Sequence, residues 1–92
     1  MGATLSPQPN MKAYVSISKW YPKTEIGEFA SINSVYQKIE GTPNEVGRHT
    51  LRTALDGKLD RVHTDNLVKL ARLCSEWSGN RVTIDDLMII DD

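Results

Sequence analysis

The chain has a single cysteine, a single phenylalanine and no surplus of positive charge: 11 basic side chains stand against 12 acidic ones, for a net charge of −1. Each shortage excludes something. One thiol, Cys74, rules out an internal disulfide and a cysteine-cluster zinc site, and a lone thiol fits a reducing cytoplasm. Aromatic residues make up 7% of the chain and are not interleaved with lysine or arginine. Trp20, Tyr21 and Trp77 are therefore expected to pack in a core or interface rather than to stack on single-stranded bases. No apolar run approaches the length of a membrane span, and residues 1–10 lack a basic segment followed by an apolar core, so neither a span nor a secretory leader is expected. Paired catalytic groups and a glycine-rich phosphate loop are missing too. His49 and His63 do not have the spacing of two ligands on successive helix turns. No enzyme activity, metal or cofactor is expected.

What is present describes one ordinary globular domain: 92 residues, 39% hydrophobic and 25% charged, enough for a modest core but not for an elaborate cleft. Residues 1–10, with Pro7 and Pro9, read as a loose tail, and residues 11–92 as the domain. The near-neutral charge argues against a nucleic-acid binder only as an average. Residues 1–43 carry four basic and three acidic side chains, residues 44–72 six and four, and residues 73–92 one and five. The positive charge is thus concentrated in the middle of the chain. Asp85, Asp86, Asp91 and Asp92 make its end acidic.

Alternation of Ala13, Val15 and Ile17 with Tyr14, Ser16 and Ser18 predicts a half-buried strand over residues 12–19, ended by Pro22. Thr24 as an N-cap, with Ile26, Phe29 and Ala30 three and four apart, predicts a short first helix. Ser34 and Gln37 have the spacing of a capping box, and Val35, Tyr36 and Ile39 give the stripe of a second helix, stopped by Gly41. The two could also be one continuous helix. Thr42 and Pro43 resemble another helix start, but Gly47 inside a helix costs about 1 kcal/mol relative to alanine, which favours a turn over 41–47 and a third helix over 48–56. Thr64 is expected to cap a fourth helix with the stripe Leu67, Leu70, Ala71, Cys74 and Trp77; His63 would precede that cap, and Cys74 would be packing rather than a nucleophile. After Ser78-Gly79-Asn80, Thr83 caps a final turn through Leu87. Met88-Ile89-Ile90 is an apolar run able to pair with the N-terminal strand.

In the third helix Leu51, Ala54 and Leu55 are spaced to face the core, leaving Arg48, His49, Arg52 and Thr53 outward. The run Val46-Gly47-Arg48-His49-Thr50-Leu51, then Gly57-Lys58, Arg61-Val62 and 67–73, ending in Asp86-Leu87, resembles the Cro and phage-repressor-like (XRE-type) helix-turn-helix regulators. The resemblance covers about residues 29–90. It implies a mainly α, five-helix domain, here with short terminal strands that can pair, whose third helix reads the DNA major groove. Two features depart from the family pattern. The turn over 41–46 is longer than the family's, and Gly47 stands where a serine cap is common. The strand before the first helix is an addition suited to dimerisation.

On that resemblance the chain is expected to be a sequence-specific regulator of double-stranded DNA, a repressor acting as a homodimer in the cytoplasm. Arginine offers a planar fork to the O6 and N7 acceptors of guanine, and an exposed helix N-terminus offers amides to a phosphate. Arg48 and Arg52 lie four apart, hence on one face; the alternative for them is pairing with Glu45 or Asp56 on a solvated face. His49, Thr50 and Thr53 flank them and are candidates for a base edge, a thymine methyl or the backbone. Lys58 and Arg61 are placed to hold phosphates or to be plain surface charge, and Gln37 could reach the backbone from the second helix. The second functional expectation is a protein-interaction module on the same fold, such as an antitoxin or phage-type inhibitor, whose acidic end meets a basic protein partner.

Overall fold

The computed structural model describes residues 12–91; the tail expected over 1–10 lies outside them. Four helices and one two-stranded sheet follow the order β1 (Lys12–Val15), α1 (Ile32–Ile39), α2 (Arg48–Leu55), α3 (Thr64–Ser78), α4 (Ile84–Leu87) and β2 (Met88–Asp91). The fold is mainly helical, and the ends of the described chain meet. β1 and β2 pair antiparallel, with Lys12 opposite Asp91 and Val15 opposite Met88. The strand is shorter than the alternation predicts. Beyond Val15 the backbone leaves β2, the Ser16 amide donating to Leu87 O at 2.9 Å and the Ile17 amide to Ala54 O at 3.1 Å. Val15 and Ile17 are buried while Ala13 is exposed.

The helix expected over 24–30 does not form, so the described residues hold four helices rather than five. Residues 22–30 close into a turn instead: the Thr24 amide donates to Glu28 O, Gly27 to Thr24 O and Ala30 to Pro22 O, at 2.7, 2.9 and 3.0 Å. Gly27 has φ 87°, a left-handed conformation open to glycine at little cost. The three-and-four spacing of Ile26, Phe29 and Ala30 is not a buried face, because Ile26 is 79% exposed and Phe29 46%.

Two caps also shift. Ser31, not Ser34, caps α1: its Oγ accepts from the Ser34 amide at 3.1 Å, and the Ser34 hydroxyl donates back to Ser31 O at 2.8 Å. A side chain three residues ahead of Ser34 thus takes the role that Ser34 and Gln37 were expected to share. His63 rather than Thr64 occupies the N-cap of α3, without a side-chain cap, and Gly79 closes that helix in the left-handed conformation. At α4 the expected cap holds, Thr83 and Asp86 forming a reciprocal capping box.

The core draws on β1 and on all four helices. Val15 and Ile17 from the N-terminal strand and its extension, Val35 and Ile39 from α1, Leu51 and Ala54 from α2, Leu70, Leu73 and Cys74 from α3, and Leu87 from α4 are buried together. Tyr21 joins them, with its ring edge-on to Trp77 at 5.6 Å and to Phe29 at 5.7 Å. Trp20 and Trp77 pack partly buried against the same cluster, as expected for aromatics that serve packing. No helix among the described residues is long and apolar enough to cross a membrane.

Candidate nucleic-acid interface

α2 is amphipathic as its spacing predicts. Leu51 and Ala54 are fully buried, while Arg48, His49 and Arg52 are exposed. Gly47 is the N-cap, in an extended conformation and without a side-chain hydrogen bond, so the first amides of α2 are left to water or a ligand. Arg48, His49 and Arg52 line one open depression of about 430 Å³ together with Ser31 and Ile32 at the start of α1. The two helix N-termini therefore border a common cationic surface.

Arg48 is not a loose surface charge. Its guanidinium lies over the Tyr36 ring, 4.3 Å from the centroid, and its Nε donates to Asn33 Oδ1 at 3.2 Å. Tyr36 is itself held, its hydroxyl donating to Glu45 Oε2 at 2.8 Å, while Glu45 Oε1 accepts from the Gly41 amide at 2.9 Å. Glu45, one of the carboxylates that spacing offers to Arg48, is engaged by the turn and by Tyr36. The Gly41 amide, then the Tyr36 hydroxyl, hold the Glu45 carboxyl below its ordinary value. The same hydrogen bond, ahead of desolvation, pushes the Tyr36 hydroxyl up.

The other candidates are scattered more widely. Thr50 is half-buried. Thr53 is half-buried as well, and its hydroxyl donates to His49 O at 2.8 Å, which spends that donor inside the helix. Gln37 is exposed on α1. Lys58 follows the far end of α2, where its amide donates to Thr53 O. Arg61 borders a separate depression with Val62 and His63. The structure thus brings Arg48, His49 and Arg52 together and leaves Lys58 and Arg61 apart from them.

Asn33 and Tyr36 are neighbours of Arg48 that its sequence pattern did not pair with it, and Glu45, which spacing offers to Arg48 directly, reaches it through Tyr36. Once Ser31 is taken as the cap, Asn33 and Tyr36 fall three apart on α1 and could be paired with the next helix start; the cap misassigned to Ser34 hid that face. Among the described residues no cluster of three or more His, Cys, Asp or Glu side chains is placed to hold a metal ion. Burial pushes the Cys74 thiol up to about 12, so the nucleophilic thiolate is scarce at neutral pH. Comparison with protein-family models, with curated proteins and with solved structures finds no match.

Proposed function

We propose that this protein is a sequence-specific double-stranded DNA-binding regulator of the Cro and phage-repressor-like kind, a cytoplasmic repressor that lays α2 in the major groove. The observation that carries this reading is the exposed cationic face of α2, Arg48, His49 and Arg52 around one open surface, with Leu51 and Ala54 anchoring the same helix in the core. A short helix with that division of labour can enter a groove while the domain stays folded. The uncapped start of α2 suits a phosphate, and Gln37, Lys58 and Arg61 suit the flanking backbone. One short helix seldom gives sufficient affinity, so the reading includes a homodimer on two half-sites about one helical turn apart. The eight-residue separation of α1 and α2, from Glu40 to Gly47, is longer than the three- or four-residue turn usual in helix-turn-helix pairs. It does not bury α2. An unbiased selection of duplex DNA by the purified chain tests the proposal: a recurrent, roughly palindromic site bound with steep salt dependence supports it, and no enrichment removes it.

One observation favours a second reading. Ile26, 79% exposed, projects from the turn over 22–30 between Glu25 and Glu28, a combination suited to an apolar, basic-rimmed pocket on a protein partner. If that reading holds, Ile26→Asp abolishes capture of a purified partner while leaving DNA selection unchanged.

A further inference from the structure

Among the cationic side chains around the depression, Arg48 has a feature that composition cannot supply: its direction is already fixed. A guanidinium has five N–H donors in a planar fork. Asn33 takes the donor at Nε, on the inner edge, and the Tyr36 ring covers one flat face. The two terminal nitrogens are not used by either contact, and Arg48 borders the depression that it shares with His49 and Arg52. Two parallel N–H groups are what a guanine edge accepts through O6 and N7. No comparable support is found for Arg52 among the described residues.

We infer that Asn33, Tyr36 and Glu45 form a positioning chain that holds Arg48 as the guanine-reading side chain of this surface. The inference rests on the DNA-binding reading above. Its physical content is preorganisation. An arginine that must leave a broad set of rotamers to reach a base loses that freedom on binding, whereas one already stacked and hydrogen-bonded has lost it on folding. Glu45 contributes twice. It fixes the tilt of the Tyr36 ring by accepting its hydroxyl, and by drawing on that hydroxyl proton it makes the ring face more electron-rich, which favours the guanidinium above it. Its second oxygen accepts from Gly41, so the turn between α1 and α2 is part of the device. Glu45 lies within that turn, which folds back so that its carboxylate reaches Tyr36.

The test is duplex-site selection with the full chain and four variants: Arg48→Lys, Tyr36→Leu, Tyr36→Phe and Asn33→Ala, with folding of each followed by circular dichroism. The wild type is expected to select a guanine at one fixed position in each half-site. Arg48→Lys keeps the charge but not the fork, so it should lose that guanine preference by roughly ten- to hundredfold, a larger loss than at any other position of the site. Tyr36→Leu should weaken the same position, and only that position, several-fold; Tyr36→Phe, which keeps the ring, should restore most of it. Asn33 is exposed, so Asn33→Ala carries the test should Tyr36→Leu fail to fold.

The opposite outcomes are distinct. If Arg48→Lys weakens every sequence alike, Arg48 is a phosphate contact and the inference is wrong. If the guanine preference survives Asn33→Ala and both Tyr36 variants, the contacts merely staple α1 to α2. If the wild type selects DNA with no guanine position that responds to Arg48, the arginine has been misassigned while the DNA-binding reading stands. If the wild type selects no DNA, both fall.

Discussion

At the scale of single residues, Glu45 links the turn to the candidate surface, and its chemistry predicts how that link responds to acid. The Gly41 amide and the Tyr36 hydroxyl keep its folded value below the ordinary 4.5. A carboxylate lowered on folding contributes stability above its unfolded value and loses it as pH falls through the lowered folded value. The contribution is therefore complete near neutrality and drains away only below about 4.5. Asp86 behaves alike, lowered by the Thr83 amide and hydroxyl. Glu45→Gln should therefore melt earlier than the wild type at neutral pH, with the gap narrowing as the solution is acidified; a gap constant with pH would refute the assignment. Cys74 gives a second prediction at this scale. Buried and pushed up to about 12, its thiol should resist a disulfide reagent in the native protein and react at once in denaturant. Rapid native labelling would contradict the core position. The exposure of Arg48, His49 and Arg52 was legible from helical spacing alone. The partners of Arg48 were not, because Asn33 and Tyr36 share a face of α1 only when the helix is capped by Ser31, whereas the spacing of Ser34 and Gln37 points to a later start.

Elements were legible in proportion to the regularity of their apolar positions. α2 and α3 declare themselves, since Leu51 and Ala54, and Leu70, Ala71 and Cys74, are buried at helical spacing. The segment over 22–30 misleads because Ile26 and Phe29 have that spacing without that burial, and the left-handed Gly27 with its closing hydrogen bonds decides the matter. Gly47 is a different case. Its φ of −65° is available to any residue, and a side chain there would meet nothing within 4 Å. Serine should supply the missing cap and raise stability by a few tenths of a kcal/mol. A calorimetric melt of Gly47→Ser checks this, and a lower melting temperature would show that the start of α2 is constrained in another way. Leu51 marks the opposite limit. It is fully buried, and Leu51→Ala should cost about 2–5 kcal/mol in denaturant unfolding, whereas Arg52→Ala, on the exposed face, should stay within about 0.5 kcal/mol. That contrast separates the face that holds α2 from the face offered to a ligand.

For the whole molecule the question is how a chain of net charge −1 could approach a polyanion and what a second copy would touch. The acidic end is drawn into α4 and β2, Asp85 and Asp86 lying in the first turn of α4. The cationic side chains of α2 belong to another part of the fold, bordering the start of α1. The pairing of the chain ends was legible as two short apolar runs. Its consequence for assembly was not, because β1 also bridges to Leu59 through Val15. The added N-terminal strand, expected to carry a dimer, is thus enclosed by its own chain near Val15, and Val15 and Ile17 belong to the core. Deleting residues 1–20 would unfold the domain rather than test its assembly. On the far side of the sheet β2 has no further strand beside it among the described residues, and Met88 and Ile89 are 38% and 49% exposed. A two-stranded sheet is marginal alone and gains from extension by another strand. The homodimer of the DNA-binding reading should therefore join along β2. A lysine at an edge position blocks such pairing by charge, and Ile89 is exposed enough to accept it without disturbing the core. Ile89→Lys should sediment as a folded monomer at concentrations where the wild type is dimeric, and should bind a single half-site as the wild type does while losing the affinity gained from two. If the variant remains a dimer, the copies meet elsewhere; if the wild type is itself a monomer at all concentrations, recognition of a palindrome has no structural basis in this chain.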